Sequence, residues 1–441
     1  MSEALKFPDD WDVEPIGELG EVKLGRQRAP RFTLGPNPKP YLRVVNISEG
    51  KLDLRDVKRM DFDGSDFHVY QLKYGDVLLT EGDLGSAFNV GRPAVYREEI
   101  EDCCYTNTLI RFRKSEDESP SEYYHYVFEF LRRHGMFART TAATTVYHLS
   151  SGRLKEVLAP MAPLPEQRKI ARILATLDNL IEKTEALIAK YQSIKQGMMH
   201  DLFTRGVDES GRLRPTHEQA HDLYKQSELG WIPKEWEVDE VQNVLSRIID
   251  YRGRTPVKTN SGIPLITAKN VRMGFIDDEP REFISERDYG PWMTRGIPRI
   301  GDVLFTTEAP LGNVAQLDTD DKRAFAQRMI ILQCNERMKL NFLKYLLMTE
   351  EVQTSIRKRG SGSTVEGIKQ SQFRLVKIAF PTQTDEQSAI ADRLQRLDKQ
   401  IDTEQRLGDK HKESKSGLMQ DLLTGKVRVK VDEAEEACAH A

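Results

Sequence analysis

The chain has 441 residues, 39% of them hydrophobic, with 65 Lys and Arg against 69 Asp and Glu for a formal net charge of −4. That near balance excludes a histone-like polycation and an acidic disordered tail protein, and the length corresponds to about three domains at roughly 150 residues each. No apolar run approaches the ~18 residues of a membrane span, the first ten residues lack a signal-peptide stretch, and the four cysteines form no CxxC pair, so a cytoplasmic protein with no membrane partner is expected.

Taken in chain order, the short apolar run Val77-Leu-Leu79 after a Gly-Asp turn predicts a strand, and residues 123–133 predict a helix. From 166 to 204 apolar residues keep a seven-residue rhythm: Ile170, Leu177, Thr184, Tyr191 and Met198 in one row, Ile173, Leu180, Leu187 and Ile194 in the other. Four sustained heptads predict a coiled-coil helix roughly 55 Å long. Residues 206–229 are rich in Gly, Pro, His and charge without periodicity and predict a linker. Val303-Leu-Phe305 and Ile330-Ile-Leu332 predict further strands, and residues 340–348 a helix. A second long helix follows, where Ile390, Leu394, Leu397, Ile401, Leu407 and Leu418 keep the rhythm while Glu404, Gly408 and His411 interrupt it, Gly408 marking a bend. The end of the chain reads as a solvated tail.

These elements repeat. Pro8-Asp-Asp-Trp11 returns as Pro233-Lys-Glu-Trp236, Arg26-Gln-Arg28-Ala-Pro30 as Arg252-Gly-Arg254-Thr-Pro256, and Asn46-Ile47 as Asn270-Val271. Gly75-Asp-Val-Leu-Leu-Thr80 returns as Gly301-Asp-Val-Leu-Phe-Thr306, Thr144-Thr-Val146 as Ser363-Thr-Val365, and Glu166-Gln167 as Glu386-Gln387. Lys195-Gln-Gly-Met-Met-His-Asp-Leu202 returns as Lys415-Ser-Gly-Leu-Met-Gln-Asp-Leu422. Matches kept in one order mean duplication. The expected class is α+β: two similar mixed units separated by two long antiparallel coiled-coil helices. The boundaries are 1–160 and 230–380 for the units, 161–205 and 381–427 for the helices, 206–229 for the linker and 428–441 for the tail.

Catalytic signatures are missing. The sequence has no GxxxxGK[ST], GxGxxG, HExxH or GxSxG, and its nine histidines are scattered with no CxxC pair to complete a zinc set. Neither a catalytic site nor a metal or cofactor site is expected.

The charge is locally uneven. Residues 22–48 hold no acid but carry Lys23, Arg26, Arg28, Arg31, Lys39 and Arg43; residues 251–276 repeat this with Arg252, Arg254, Lys258, Lys269 and Arg272. Residues 130–155, with Arg132, Arg133, Arg139, Arg153 and Lys155, match residues 352–377, where Arg357, Lys358, Arg359, Lys369, Arg374 and Lys377 oppose the single acid Glu366. Two basic windows per copy, in register, form a footprint for a polyanion. Tyr41, Tyr147, Tyr251, Thr140, Thr141, Thr144, Thr145, Ser361, Ser363 and Thr364 supply hydroxyls for phosphate, the threonine run being equally in keeping with a strand. Arg26 with Arg28, and Arg252 with Arg254, offer forks to guanine or else face solvent and carboxylates elsewhere. Asn46 and Asn270 either contact adenine or close turns.

Leu164-Pro-Glu-Gln-Arg-Lys-Ile-Ala171, running through Ile181-Glu-Lys-Thr-Glu185 to Lys195-Gln-Gly-Met-Met-His-Asp-Leu202, resembles the conserved helical region of the specificity subunit of Type I restriction-modification enzymes. The run from Thr384-Asp-Glu-Gln-Ser-Ala-Ile-Ala391 to Leu422 is similar to that family's second conserved region, and the Trp11 and Trp236 starts, Gly-Asp-Val-Leu segments and Gly360-Ser-Gly-Ser-Thr-Val365 run are similar to its target recognition domains. The resemblance implies a non-catalytic DNA-binding subunit. Each recognition domain would read one half of a bipartite asymmetric double-stranded site, and the helices would set the spacer. Two N6-adenine methyltransferase (modification) subunits and two translocase/endonuclease (restriction) subunits would be its partners, in defence against foreign DNA. Arg168, Lys169, Glu182, Glu185 and Lys190 are the candidates for the partner-facing side. Ser388, where the first copy has Arg168, departs from that pattern. The rivals are a two-headed coiled-coil scaffold without DNA recognition, which leaves the basic windows unexplained, and an orphan specificity subunit working only with a methyltransferase.

Overall fold

The computed structural model describes residues 6–29, 35–83, 90–115, 118–139, 147–252, 255–361 and 366–431. Residues 1–185 and 406–441 form one compact unit, residues 186–405 the other. The helices that matter below are α1 (Ser121–Arg133), α2 (Leu164–Arg205), α3 (Leu340–Leu347) and α4 (Thr384–Leu423).

In the first unit a four-stranded antiparallel sheet runs in the order Gly20–Leu24, Leu109–Lys114, Val77–Thr80, Pro93–Val95. A three-stranded sheet has Pro38–Leu42 in the middle, parallel to Cys104–Tyr105 and antiparallel to Lys58–Asp61. Asp12–Pro15 pairs with Leu158–Met161. The second unit repeats all of this. Its larger sheet is Leu245–Asp250, Met329–Cys334, Val303–Thr306, Val314–Gln316; its smaller one sets Ile263–Ile266 between Ala324–Phe325 and Phe283–Ile284; and Trp236–Glu240 pairs with Lys377–Pro381. The class is α+β with an internal duplication.

The repeated Gly-Asp-Val-Leu segment has a physical reason at each position. Gly75 and Gly301 sit at φ 84° and 90°, where a side chain would be strained. Asp76 and Asp302 close the turn by accepting from the Lys73 and Arg299 amides, both at 2.8 Å. The apolar run that follows is unbroken because both sheet faces are covered. Val77 and Leu79 enter a core with Ile110, Phe112 and the α1 aromatics, while Leu78 enters another with Leu109 and Tyr105. Val303 and Phe305 part from Leu304 in the same way, the period of two in a strand.

Within each unit, stretches of α2 and α4 pack antiparallel and are tied to the mixed α and β part of the unit by one triad. Asp178 accepts from Lys415 at 2.5 Å and from the Tyr126 hydroxyl of α1 at 2.7 Å. In the second unit Asp398 takes Lys195 and, at 2.7 Å, the Tyr345 hydroxyl of α3. The repeated Lys195 and Lys415 are thus register locks. Glu166 and Glu386, which open the two helices, each hold an arginine just past the end of the opposite helix, Arg428 and Arg214.

Four expectations change. The first heptad row lies in the seam, but its partner row is Leu174, Ile181, Ile188 and Lys195, each one residue beyond the expected four, and it continues to Leu202; Leu180 and Ile194 are 39% and 41% exposed. Gly408 does not bend α4, which continues from Thr384 to Leu423; it is buried where a side chain would meet Thr184. The segment 206–229 is ordered within the second unit. Tyr224–Ser227 forms a hairpin with Gly230–Pro233, and Arg214 and Gly211 are bonded to Glu386 and Arg393 of α4. The expected tail likewise begins inside the first unit, where Arg428 binds Asp10 as well as Glu166.

His125 of α1 is buried, with its Nδ1 lacking a partner. Burial, reinforced by the Lys415 cation, pushes it down from 6.5 to about 4, although the carboxylates of Glu129 and Asp178 pull the other way. The unfolded chain therefore binds a proton that the folded one refuses throughout that window. Stability is expected to be full above about pH 6.5 and to fall by up to about 3 kcal/mol as pH drops towards 4. Denaturant unfolding of His125→Gln across this range should show a shallower decline than wild type; parallel curves would exclude His125 as the source.

Candidate nucleic-acid interface

In the second unit the two basic windows meet. Arg252 and Thr255 from the first, with Ser361 and Lys369 from the second, line a cleft of about 500 Å³ together with Thr307, Glu308, Gln327 and Arg328. A hydrogen bond of 3.1 Å from Arg252 to Gln370 joins the windows directly. Among the described residues of the first unit the windows are linked only through intervening segments: the Asn107 amide donates to the Arg26 carbonyl at 3.0 Å, the Glu81 amide to the Thr108 carbonyl and the Leu149 amide to the Glu81 carbonyl, and Glu81 pairs with His148 at 2.9 Å.

Windows without acids in sequence acquire acids in space. Arg26 is buried, ion-paired to Asp66, bonded to the Asp61 carbonyl and stacked 4.8 Å over Phe62. Arg43 pairs with Asp56 at 2.6 Å, Arg252 with Asp250 at 2.6 Å, Lys258 with Glu282 at 2.7 Å and Arg272 with Asp277 at 3.3 Å. Arg28 and Lys269 are exposed, Arg359 is half-buried at the end of its helix, and no ion-pair partner holds these three among the described residues. Ser361 is exposed and its backbone pairs with Gly367.

The paired asparagines close turns. Asn46 is buried; its Oδ1 accepts from the Arg43 amide and its Nδ2 donates to the Asp53 and Asp56 carbonyls. Asn270 repeats the arrangement with Thr267, Asp277 and Pro280. An amide with every group bonded inside the domain has none left for adenine. Tyr41 is buried beside Met60, Phe62 and Cys104, and Tyr251 is buried with its hydroxyl on the Gly296 carbonyl, so neither presents a hydroxyl to phosphate. Arg31, Thr140, Thr141, Thr144, Thr145, Arg254, Ser363 and Thr364 lie outside the described residues, as does the side chain of Arg139.

On α2, Glu182 pairs with Lys51 at 2.9 Å and Glu185 with Lys412 at 2.7 Å, so both are engaged within the first unit. Arg168 lines a groove of about 670 Å³ between α2, α1 and the Lys51 hairpin; Lys169 is half-buried and Lys190 exposed. Ser388, the counterpart of Arg168, turns its hydroxyl back to the Thr384 carbonyl.

Charge counting passed over Glu308 and Gln327, which carry no positive charge, and Arg328, whose importance rests on a backbone conformation no spacing reveals. Among the described residues no three His, Cys, Asp or Glu are placed to hold a metal ion, and no helix is long and apolar enough to cross a membrane.

A family model described as Type I restriction modification DNA specificity domain matches residues 8–191 and 233–410. The putative type I restriction enzyme MjaX specificity subunit of Methanocaldococcus jannaschii is 27% identical over 439 residues, 97% of this chain and 96% of that one. The MjaVIII specificity subunit of the same organism is 26% identical over 435 residues, covering 97% and 95%. Among solved structures, the S subunit of a Type I restriction-modification system from M. genitalium superposes with a TM-score of 0.57 at 12% identity over 96% of this chain and 98% of that one. A chain from work on complex assembly and conformational transition of the type I R-M system gives 0.51 at 15% identity over 96% and 100%, so the fold is shared with both.

Proposed function

The chain belongs to the family of Type I restriction-modification specificity subunits, and from that premise we propose that it is the non-catalytic, cytoplasmic DNA-reading subunit of such a complex. Each unit reads one half of a bipartite, asymmetric duplex site. The long helices set the length of unread DNA between the halves, and two N6-adenine methyltransferase subunits dock on them; two translocase/endonuclease subunits complete the restriction assembly. The observation that carries this reading is a single chain with two copies of one topology whose basic windows converge, in the second copy, on one cleft. The loops differ between the copies while the scaffold repeats, which is what an asymmetric two-part target requires. Exposed apolar side chains on α2, Leu180 in the first unit and Ile194 in the second, support the docking of partner subunits on its surface. Half-sites on one face of B-DNA lie ~34 Å apart, within the reach of helices of this length.

Long-read sequencing of host DNA with the gene present and deleted tests the proposal. Deletion should abolish one split, asymmetric N6-methyladenine motif; a methylome that keeps every motif would count against it. Within the first half-site, Arg28→Ala should cost about 1–3 kcal/mol and relax one base position. A uniform loss across sequences would make Arg28 a phosphate contact, and unchanged binding would remove it from the interface.

A further inference from the structure

The cleft of the second unit holds a feature that a phosphate-binding surface does not call for. Glu308 lies among Arg252, Arg328 and Lys369 and turns its carboxylate to the Arg328 guanidinium at 3.1 Å. Both side chains are about half exposed, 54% and 45%, so water screens the pair and it contributes little to folding. Arg328 also sits at φ 76°, a conformation that favours glycine. Its carbonyl accepts from the Thr307 amide at 2.9 Å, so the fold holds a non-glycine residue in this conformation at the edge of the cleft, and strain of this kind collects at functional sites. Beside it, Gln327 donates from Nε2 to the Thr255 hydroxyl at 3.1 Å, while its Oε1 has no donor.

A carboxylate repels phosphate but accepts hydrogen bonds from the exocyclic amino group of cytosine, and an arginine fork matches guanine O6 and N7. In a G·C pair the guanine O6 and cytosine N4 are hydrogen-bonded to each other, about 2.9 Å apart. That spacing matches the Glu308–Arg328 separation. Resting on the DNA-reading function proposed above, we infer that Arg328 and Glu308 together read one G·C base pair in the half-site of the second unit, Arg328 on guanine and Glu308 on cytosine. The ion pair holds the fork beside the carboxylate at the spacing that the two base edges present. In the first unit the same loop, between Cys104–Tyr105 and Leu109–Lys114, carries Asn107 and Thr108 instead. Thr108 accepts from the Val44 amide at 3.0 Å, so it is turned into the fold and the two units read differently.

The test is selection of bound duplexes from a fully randomised pool by the full chain with its co-purified partners. The wild-type chain should return a two-part motif with G·C at one position of one half. Arg328→Ala, Arg328→Gly and Glu308→Gln should each lose preference at that position alone, by about ten- to a hundred-fold, leaving the other half unchanged. Arg328→Gly guards against misfolding, because glycine suits φ 76° and its unfolding temperature should equal or exceed wild type. An unaltered motif in Arg328→Gly overturns the inference while leaving the function standing. So does an equal weakening of all sequences, the mark of a phosphate contact. A wild-type chain that selects no split motif overturns the functional reading, and the inference with it.

Discussion

Replacing Glu386 with alanine is expected to lower the unfolding free energy of the second unit by about 3–5 kcal/mol. Its carboxylate accepts from Arg214 at 2.5 and 3.0 Å, from the Trp236 indole at 3.1 Å and from the Val207 amide at 3.0 Å. The two charged side chains are only 10% and 11% exposed, so alanine would strand an indole N–H and a backbone N–H away from water and leave the guanidinium with only the Arg205 carbonyl at 3.2 Å and the more distant Glu235 carboxylate at 3.7 Å. The carboxylate also stands at the start of α4, where the helix dipole favours an anion. Glu166 is its counterpart, but Arg428 is 41% exposed and keeps Asp10 as a second partner. Glu166→Ala should therefore cost less, about 1 kcal/mol. Urea unfolding of both variants checks this; equal losses would show that burial of the arginine does not set the cost.

The second large effect is on specificity. Exchanging the first recognition fold for that of another family member should redirect one half of the target only. Affinity for the original site should fall by only part of the ordinary gap of about 10³–10⁷ between specific and non-specific binding, because the second half-site is still read. A boundary at 160 would cut the strand Leu158–Met161, which pairs with Asp12–Pro15; the junction belongs at Pro163, just before α2. The incoming fold must also pack on Ile170, Leu174, Met419 and Leu422, which share its core. Selection from randomised duplexes reads the outcome, and a change in both halves would refute independent reading.

Much of the architecture was legible in the residues. The duplication, both long helices to within a few residues, the strands after the Gly-Asp turns and the helices at 123–133 and 340–348 follow from local pattern, because turn chemistry and apolar period act over a few neighbouring residues. The choice of Ile173 over Leu174 for the second heptad row was not decidable that way. Spacings of three and four both put apolar side chains near one face, and only the position of α4 selects the row that is buried.

The candidate site was less legible for the same reason. Acid-free windows are a property of sequence, whereas the Coulomb energy of Arg26 or Lys258 depends on carboxylates brought from elsewhere, Asp66 and Glu282. Asn46 and Asn270 were visible as a repeated pair, but their turn-closing role needed the carbonyls that surround them. By itself, then, the sequence determined a duplicated α+β chain with two long helices and two basic windows per copy. Tertiary structure decided which helix face is buried, which cations remain available and which loops line a cleft, since each depends on groups that meet only when distant segments of the chain fold together.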